Sequence, residues 1–194
     1  MTPLSSRRKV LIVSESSTFF DNISSILPKN QFFPIVYAKN GGDARRKLLE
    51  NDYDIHLIDC PLTDEHGVLF ARNFAETGMG ILILVNADMY EDVASNVEED
   101  GIVTLPKPNS PQMFYMAVKM LAAMTLRLEK SEKKIRSLQD KMADIRTINK
   151  AKWLLIENMK MTENQAHHYI EKKSMDERIS RRDAAERIIE KYEL

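Results

Sequence analysis

Asp59 closes the apolar run "IHLID" (55–59) and is followed by "CPLTDEHG". A carboxylate at the carboxyl tip of a buried strand is well placed for chemistry. Three other polar residues close apolar runs in the same way: Glu15 in "VSES", Asn86 in "LVNA" and Lys107 in "LPKP". Brought together, carboxylates bind Mg²⁺ through oxygen, and a lysine ammonium neutralises an incoming phosphoryl group. A carboxylate in that setting can attack an activated phosphate and form an acyl phosphate. The same residue types also stand at strand ends simply because those ends meet water. A second concentration of chemistry is "KKSMDERISRR" (172–182). Lys172, Lys173, Arg178, Arg181 and Arg182 suit phosphates, and a helix start at Ser180 adds a backbone anion site. Asp176 and Glu177 dilute the field, so composition alone favours a solvated charged turn.

Strand ends converge only if the strands share a sheet. Short β-like runs occur at 9–13, 34–38, 55–59, 81–85 and 101–105, and helix-length stretches fill the gaps between them. Three runs, at 10–13, 55–58 and 81–85, are nearly continuous apolar, as in strands covered on both faces. Five β–α alternations predict a parallel doubly wound sheet, whose ligands sit at the carboxyl ends of its strands.

The charge is divided along the chain. Residues 1–126 hold 11 basic and 16 acidic side chains, and residues 127–194 hold 17 and 13. An acidic front and a basic back suggest two units, the second suited to a polyanion. A single cysteine, Cys60, excludes an intramolecular disulfide and fits a reducing cytoplasm; it reads as a small core residue. No apolar run approaches a membrane span, and no signal-peptide core is visible, so the expected location is cytoplasmic with no membrane partner.

Beyond Pro111 no Pro or Gly interrupts the chain through Met159. Leu121, Met124, Leu128, Ser131, Ile135, Leu138, Met142, Ile145 and Asn149 follow a 3,4 alternation with charged residues between them. That heptad pattern predicts a parallel coiled-coil homodimer over 121–149. The tail then shows two helix starts, Thr162 with Gln165 and Ser180 with Asp183, and a small three-helix bundle follows. Leu154, Leu155, Met159, Ala166, Tyr169, Ile170, Ala184, Ile188 and Ile189 are its expected inner faces, and Trp153 and Tyr169 read as core rather than base-stacking residues. His167 and His168 read as surface polar residues.

Residues 8–122 resemble a response-regulator receiver domain, on "YDIHLID" with a glycine eight residues after Asp59 and on the Lys107–Pro108 pair. The resemblance implies a flavodoxin-like five-stranded domain over 1–120, Asp59 as phosphoacceptor, Lys107 and Asn86 contacting the phosphate, and a cis Lys107–Pro108 bond. It also implies Mg²⁺, held here by Glu15, Asp59 and the backbone carbonyl of Pro61. Four positions depart from the family. Ser14 stands where the first of two acids is usual, Asn86 replaces a hydroxyl residue, Thr104 replaces an aromatic switch, and Thr63 replaces a proline. Weak or absent phosphorylation follows from these departures.

Residues 134–192 resemble an ANTAR domain, on "AKWLLIE" (151–157), "TENQAHHYI" (162–170) and "SMDERISRRDAAERII" (174–189). Trp153 occupies a position where the family commonly has a small residue. The resemblance implies an RNA-binding helical domain over 134–194, overlapping the coiled coil, in a non-enzymatic transcription antiterminator. Its implied partners are hairpin RNA in an mRNA leader, a second copy of itself, and a sensor histidine kinase or regulatory protein. The rival readings are a DNA-binding response regulator, since helix–turn–helix with basic residues also reads a major groove, and an interaction module without nucleic acid.

Overall fold

The structure, a computed structural model, describes residues 7–75 and 78–192. Five strands, β1 (Arg8–Val13), β2 (Phe32–Ala38), β3 (Ile55–Asp59), β4 (Gly80–Asn86) and β5 (Val103–Lys107), form one sheet in the order β2-β1-β3-β4-β5. Every neighbouring pair is parallel. The connecting helices are α1 (Ser17–Ile26), α2 (Gly41–Glu50), α3 (Gly67–Ala75) and α4 (Tyr90–Val97), the last entered through a 3-10 turn at Ala87–Met89. Helix α5 (Pro111–Met159) follows, then α6 (Glu163–Glu177) and α7 (Arg181–Tyr192). This is the flavodoxin-like α/β fold expected for the front of the chain.

The strands are apolar on both faces because helices cover both. Leu11, Val13, Ile58, Ile81 and Ile83 pack with Phe70, Val93 and Val97 on one side. Val10, Ile12, Leu57, Leu82 and Leu84 pack with Ile23, Leu27, Phe114 and Val118 on the other. Helices start where side chains satisfy orphan amides: Ser16 Oγ accepts from the Phe19 amide at 3.1 Å, and Asn40 Oδ1 from the Asp43 amide at 2.9 Å.

The chain divides into two compact units, Met1–Lys130 and Ser131–Leu194. The first runs past residue 120 because α5 is still docked there. A Cβ on Gly80 would lie 2.8 Å from Leu121 and Thr125 side-chain carbons, so the glycine permits close packing of α5 on the start of β4. Arg8 donates to Glu129 at 2.5 Å and to Asp54 at 3.1 Å, which holds the helix further along. Leu121 is therefore corrected: it is 3 % exposed and belongs to this core, not to a dimer seam. A 3,4 repeat does not distinguish a helix face packed on its own sheet from one awaiting a partner. Met124, Leu128, Ile135, Leu138, Met142 and Ile145 are all exposed.

In the second unit Ala151, Leu155, Ala166, Ile170, Ala184, Ala185 and Ile188 form the core. Four alanines let the three helices approach closely. Trp153, Met159 and Tyr169 lie outside it, and Trp153 is 71 % exposed, contrary to its expected burial.

Candidate functional site

β3 lies between β1 and β4, so Asp59 at its end is flanked by the end of β1 and the end of β4. Ser14, immediately after β1, is fully buried. Its hydroxyl donates to Asp59 Oδ2 at 2.7 Å and accepts from the Ser16 amide at 3.1 Å. Lys107 ends β5 and extends past β4: its Nζ donates to Asp59 Oδ1 at 2.5 Å and to the Cys60 carbonyl at 2.6 Å. Both carboxylate oxygens of Asp59 thus have a donor within the chain, one of them a cation. The Lys107–Pro108 bond is cis.

Asp59 and Lys107 come together; Glu15 and Asn86 make no side-chain hydrogen bond to them. Asn86 pairs in register with Lys107 but is exposed, and its side chain makes no cap hydrogen bond. It lines a cavity of about 460 Å³ with Cys60, Pro61, Leu62, Val85 and Met89. Glu15 is exposed and bonded to none of the described residues. Among the described residues no three His, Cys, Asp or Glu side chains gather as a metal site. In the sequence Ser14 stands only as a departure from the family, yet it bonds to Asp59; a small polar residue directly after a buried apolar strand is the available signal.

The loop after Asp59 is fastened to α2. Asp64 accepts from the amides of Gly41 and Gly42 at 3.1 and 2.8 Å, and these bonds, Gly42's first, hold its carboxyl below the usual range. Glu65 accepts from both terminal guanidinium nitrogens of Arg45, Nη1 and Nη2. Gly67 has a definite cause: a Cβ there would fall 2.3 Å from Cys60 Sγ. Burial pushes the Cys60 thiol up to about 12, so it is an inert core group at neutral pH.

The basic cluster of the second unit surrounds the α6–α7 turn. Thr162 and Gln165 form a reciprocal capping box at the start of α6. At the start of α7, Ser180 Oγ accepts from the Asp183 amide at 3.0 Å, and the Asp183 carboxylate accepts from the Ser180 amide at 3.3 Å. The backbone anion position expected at Ser180 is thus used by the chain's own Asp183. Of the basic residues, Lys173 pairs with Glu177 at 2.7 Å, Arg181 with Glu171 at 2.9 Å, and Arg182 with Asp144 and Glu186 at 3.1 and 2.8 Å. Lys172 and Arg178 are exposed and pair with no acid among the described residues. Arg178 caps α6 in the left-handed conformation, φ 54°.

With this geometry established, the response regulator receiver domain family matches residues 10–119. The chain is a response regulator. The ANTAR domain family matches residues 136–189, so the receiver is followed by an ANTAR domain. Over 184 residues the chain is 21 % identical to the transcriptional regulatory protein PdtaR of Mycobacterium tuberculosis, covering 94 % of this chain and 90 % of that one. Among solved structures, the receiver resembles a response regulator receiver domain protein of Clostridium thermocellum at 20 % identity, TM-score 0.56, over 62 % of this chain and 98 % of that one. It also resembles the signal receiver domain of an HD domain-containing protein of Pseudomonas fluorescens at 14 % identity, TM-score 0.60, over 67 % and 97 %. These likenesses speak for the fold. Receiver domains commonly bind Mg²⁺ in the pocket that Asp59 occupies here. The residues of this pocket do not fit that ion well: a buried hydroxyl replaces one carboxylate, and Asp59 already has donors on both oxygens.

Proposed function

We propose that this response regulator is a transcription antiterminator that binds hairpin RNA in nascent transcripts as a parallel homodimer. Binding stabilises hairpins that overlap a terminator, and polymerase reads on. Such a role belongs in the cytoplasm; no helix among the described residues is long and apolar enough to cross a membrane. The observation that carries the reading is the α6–α7 turn of the ANTAR domain, where Lys172 and Arg178 stand exposed with no ion-pair partner among the described residues. Hairpin loops expose base edges to side chains while basic residues hold the flanking phosphates. Lys173, Arg181 and Arg182 contribute once their ion pairs open, and Ser180 positions the turn.

The exposed stripe from Met124 to Ile145 supports the dimer, since a heptad seam of that length is completed by a second copy. Two linked ANTAR domains would then engage two hairpins with the gain of effective concentration. A sensor kinase or regulatory protein is the expected partner of the receiver, with Asp59 as acceptor, Lys107 and Asn86 near the phosphate, and phosphorylation adding little to RNA binding.

Gel shifts with hairpin RNA and duplex DNA from one operon leader test the proposal, paired with transcription of a terminator template. Preference for the hairpin with increased read-through supports it. Preference for duplex DNA makes the chain a DNA-binding regulator, and oligomerisation without nucleic-acid binding makes it an interaction module.

A further inference from the structure

We propose that Ser14 takes the place of the divalent cation in this receiver, so that the pocket is held together and charge-balanced without metal. This role rests on the receiver assignment and not on RNA binding. Two carboxylates facing each other repel, and a cation between them relieves the repulsion; that is the physical reason a receiver pocket attracts Mg²⁺. Here residue 14 is a hydroxyl. It donates to Asp59 Oδ2 at 2.7 Å, turning a repulsive neighbour into an attractive one.

The hydroxyl has a fixed orientation. Ser14 is fully buried, and its oxygen accepts the Ser16 amide at 3.1 Å, so its one proton is directed to Asp59. Lys107 meets the other oxygen at 2.5 Å and the Cys60 carbonyl at 2.6 Å. One negative and one positive charge remain in the pocket, and they are paired. A divalent ion would have to displace a charge-assisted bond from Asp59 and would find the second acid, Glu15, exposed rather than turned inward. Ser14 is a positioning residue: it acts through Asp59.

The test uses the full chain with MgCl₂ alone as probe, at matched ionic strength, against EDTA. Thermal midpoint and calorimetric titration are both read. For wild type the midpoints coincide and no binding heat saturates. A site with a Kd near 1 mM would raise the midpoint by several degrees at about 20 mM Mg²⁺. Ser14→Asp restores the opposed carboxylates, so it loses stability in EDTA and regains it with Mg²⁺, with affinity at least about tenfold above wild type. Ser14→Thr keeps the hydroxyl and stays indifferent to Mg²⁺. Should Ser14→Asp fail to fold in EDTA, Ser14→Ala remains decisive: it is less stable than wild type and equally indifferent to Mg²⁺. Saturable binding of one Mg²⁺ by wild type, abolished in Asp59→Asn, overturns the proposal. So does a folded Ser14→Asp that gains no affinity.

Discussion

Asp59 and Arg178 are charged side chains at two turns where function is expected, and the fold treats them differently. Asp59 is satisfied by Ser14 on one oxygen and by Lys107 on the other. Arg178 sits in a left-handed backbone conformation with no acid to pair with among the described residues. The contrast extends to the surrounding units. In the receiver, Arg8 is shared between Asp54 and Glu129, and Asp64 serves two amides of α2. Along the second unit, Ile135, Leu138, Met142, Ile145 and Trp153 face solvent. Around Asp59, Arg8 and Asp64 the receiver completes its polar contacts within itself, while some of its large apolar side chains, such as Leu49 and Met120, stay exposed. The ANTAR side leaves both kinds open, which is the condition of a surface finished by partners.

The largest effect should come from denying one of those partners. Lys at Leu128, Ile135 and Leu138 would place like charges along the exposed stripe. Each buried leucine or isoleucine is worth about 1.5–3 kcal/mol, so association should weaken by at least about 5 kcal/mol. Sedimentation should show monomer; an unchanged dimer would mean that the open apolar surface of α5 is not the interface.

The next test strikes a place where the receiver is not self-satisfied. His56 is fully buried in β3 between Tyr53 and Phe74, and neither ring nitrogen has a hydrogen-bond partner among the described residues. Burial lowers its pKa from 6.5 to about 4. The folded state keeps the ring neutral while the unfolded chain takes up a proton below pH 6.5. Stability should therefore fall as pH drops from about 6.5 to about 4, by ~3 kcal/mol in total. His56→Phe should remove that part of the acid limb in denaturant melts at several pH values. A wild-type profile flat across the window would show that His56 is accommodated after all.

A smaller effect is expected at the pocket. Lys107→Met keeps the stem but strips Asp59 and the Cys60 carbonyl of a donor. The cost should be about 2 kcal/mol, discounted because the lysine side chain is 26 % exposed. Urea melts measure it, and no loss would mean that the pocket is as open as the turn.

The smallest effect sharpens the comparison most. Arg178→Gly relieves the left-handed backbone and should stabilise the ANTAR unit by roughly 0.5–1 kcal/mol. It should weaken hairpin RNA binding at the same time by about 1–3 kcal/mol if the guanidinium meets a base edge. Thermal melts and gel shifts on one sample separate the two. Loss in both would make Arg178 a structural cap.

The two units differ too in how much of them was legible beforehand. Nearly uninterrupted apolar runs marked three central strands, and the β–α alternation added the others and with them the meeting of Asp59 and Lys107. The Thr162–Gln165 box was readable because capping is local. What escaped depends on distant neighbours. Leu121 shares the periodicity of Met124 but meets Gly80, and the period is blind to that. Trp153 is a residue type usually buried, and only the docking of α6 and α7 decides which side of α5 is covered. Arg181 and Arg182 have acids opposite and Arg178 has none among the described residues, a difference that sequence neighbours do not show. Ser14 reads as the loss of an acid until the Asp59 oxygen is seen beside it.

The absent β-carbon of Gly67 bears on how such a chain can change over generations. The space a methyl would fill is held by the sulfur of Cys60. Substitution at the two positions is therefore coupled: residue 67 can grow only if the Cys60 sulfur rotates away or the residue after Asp59 shrinks. Ala at 67 arriving first displaces that sulfur, whereas Gly or Ala at 60 opens the way for it. Relatives that carry a side chain at the position of Gly67 should also carry a smaller residue at that of Cys60.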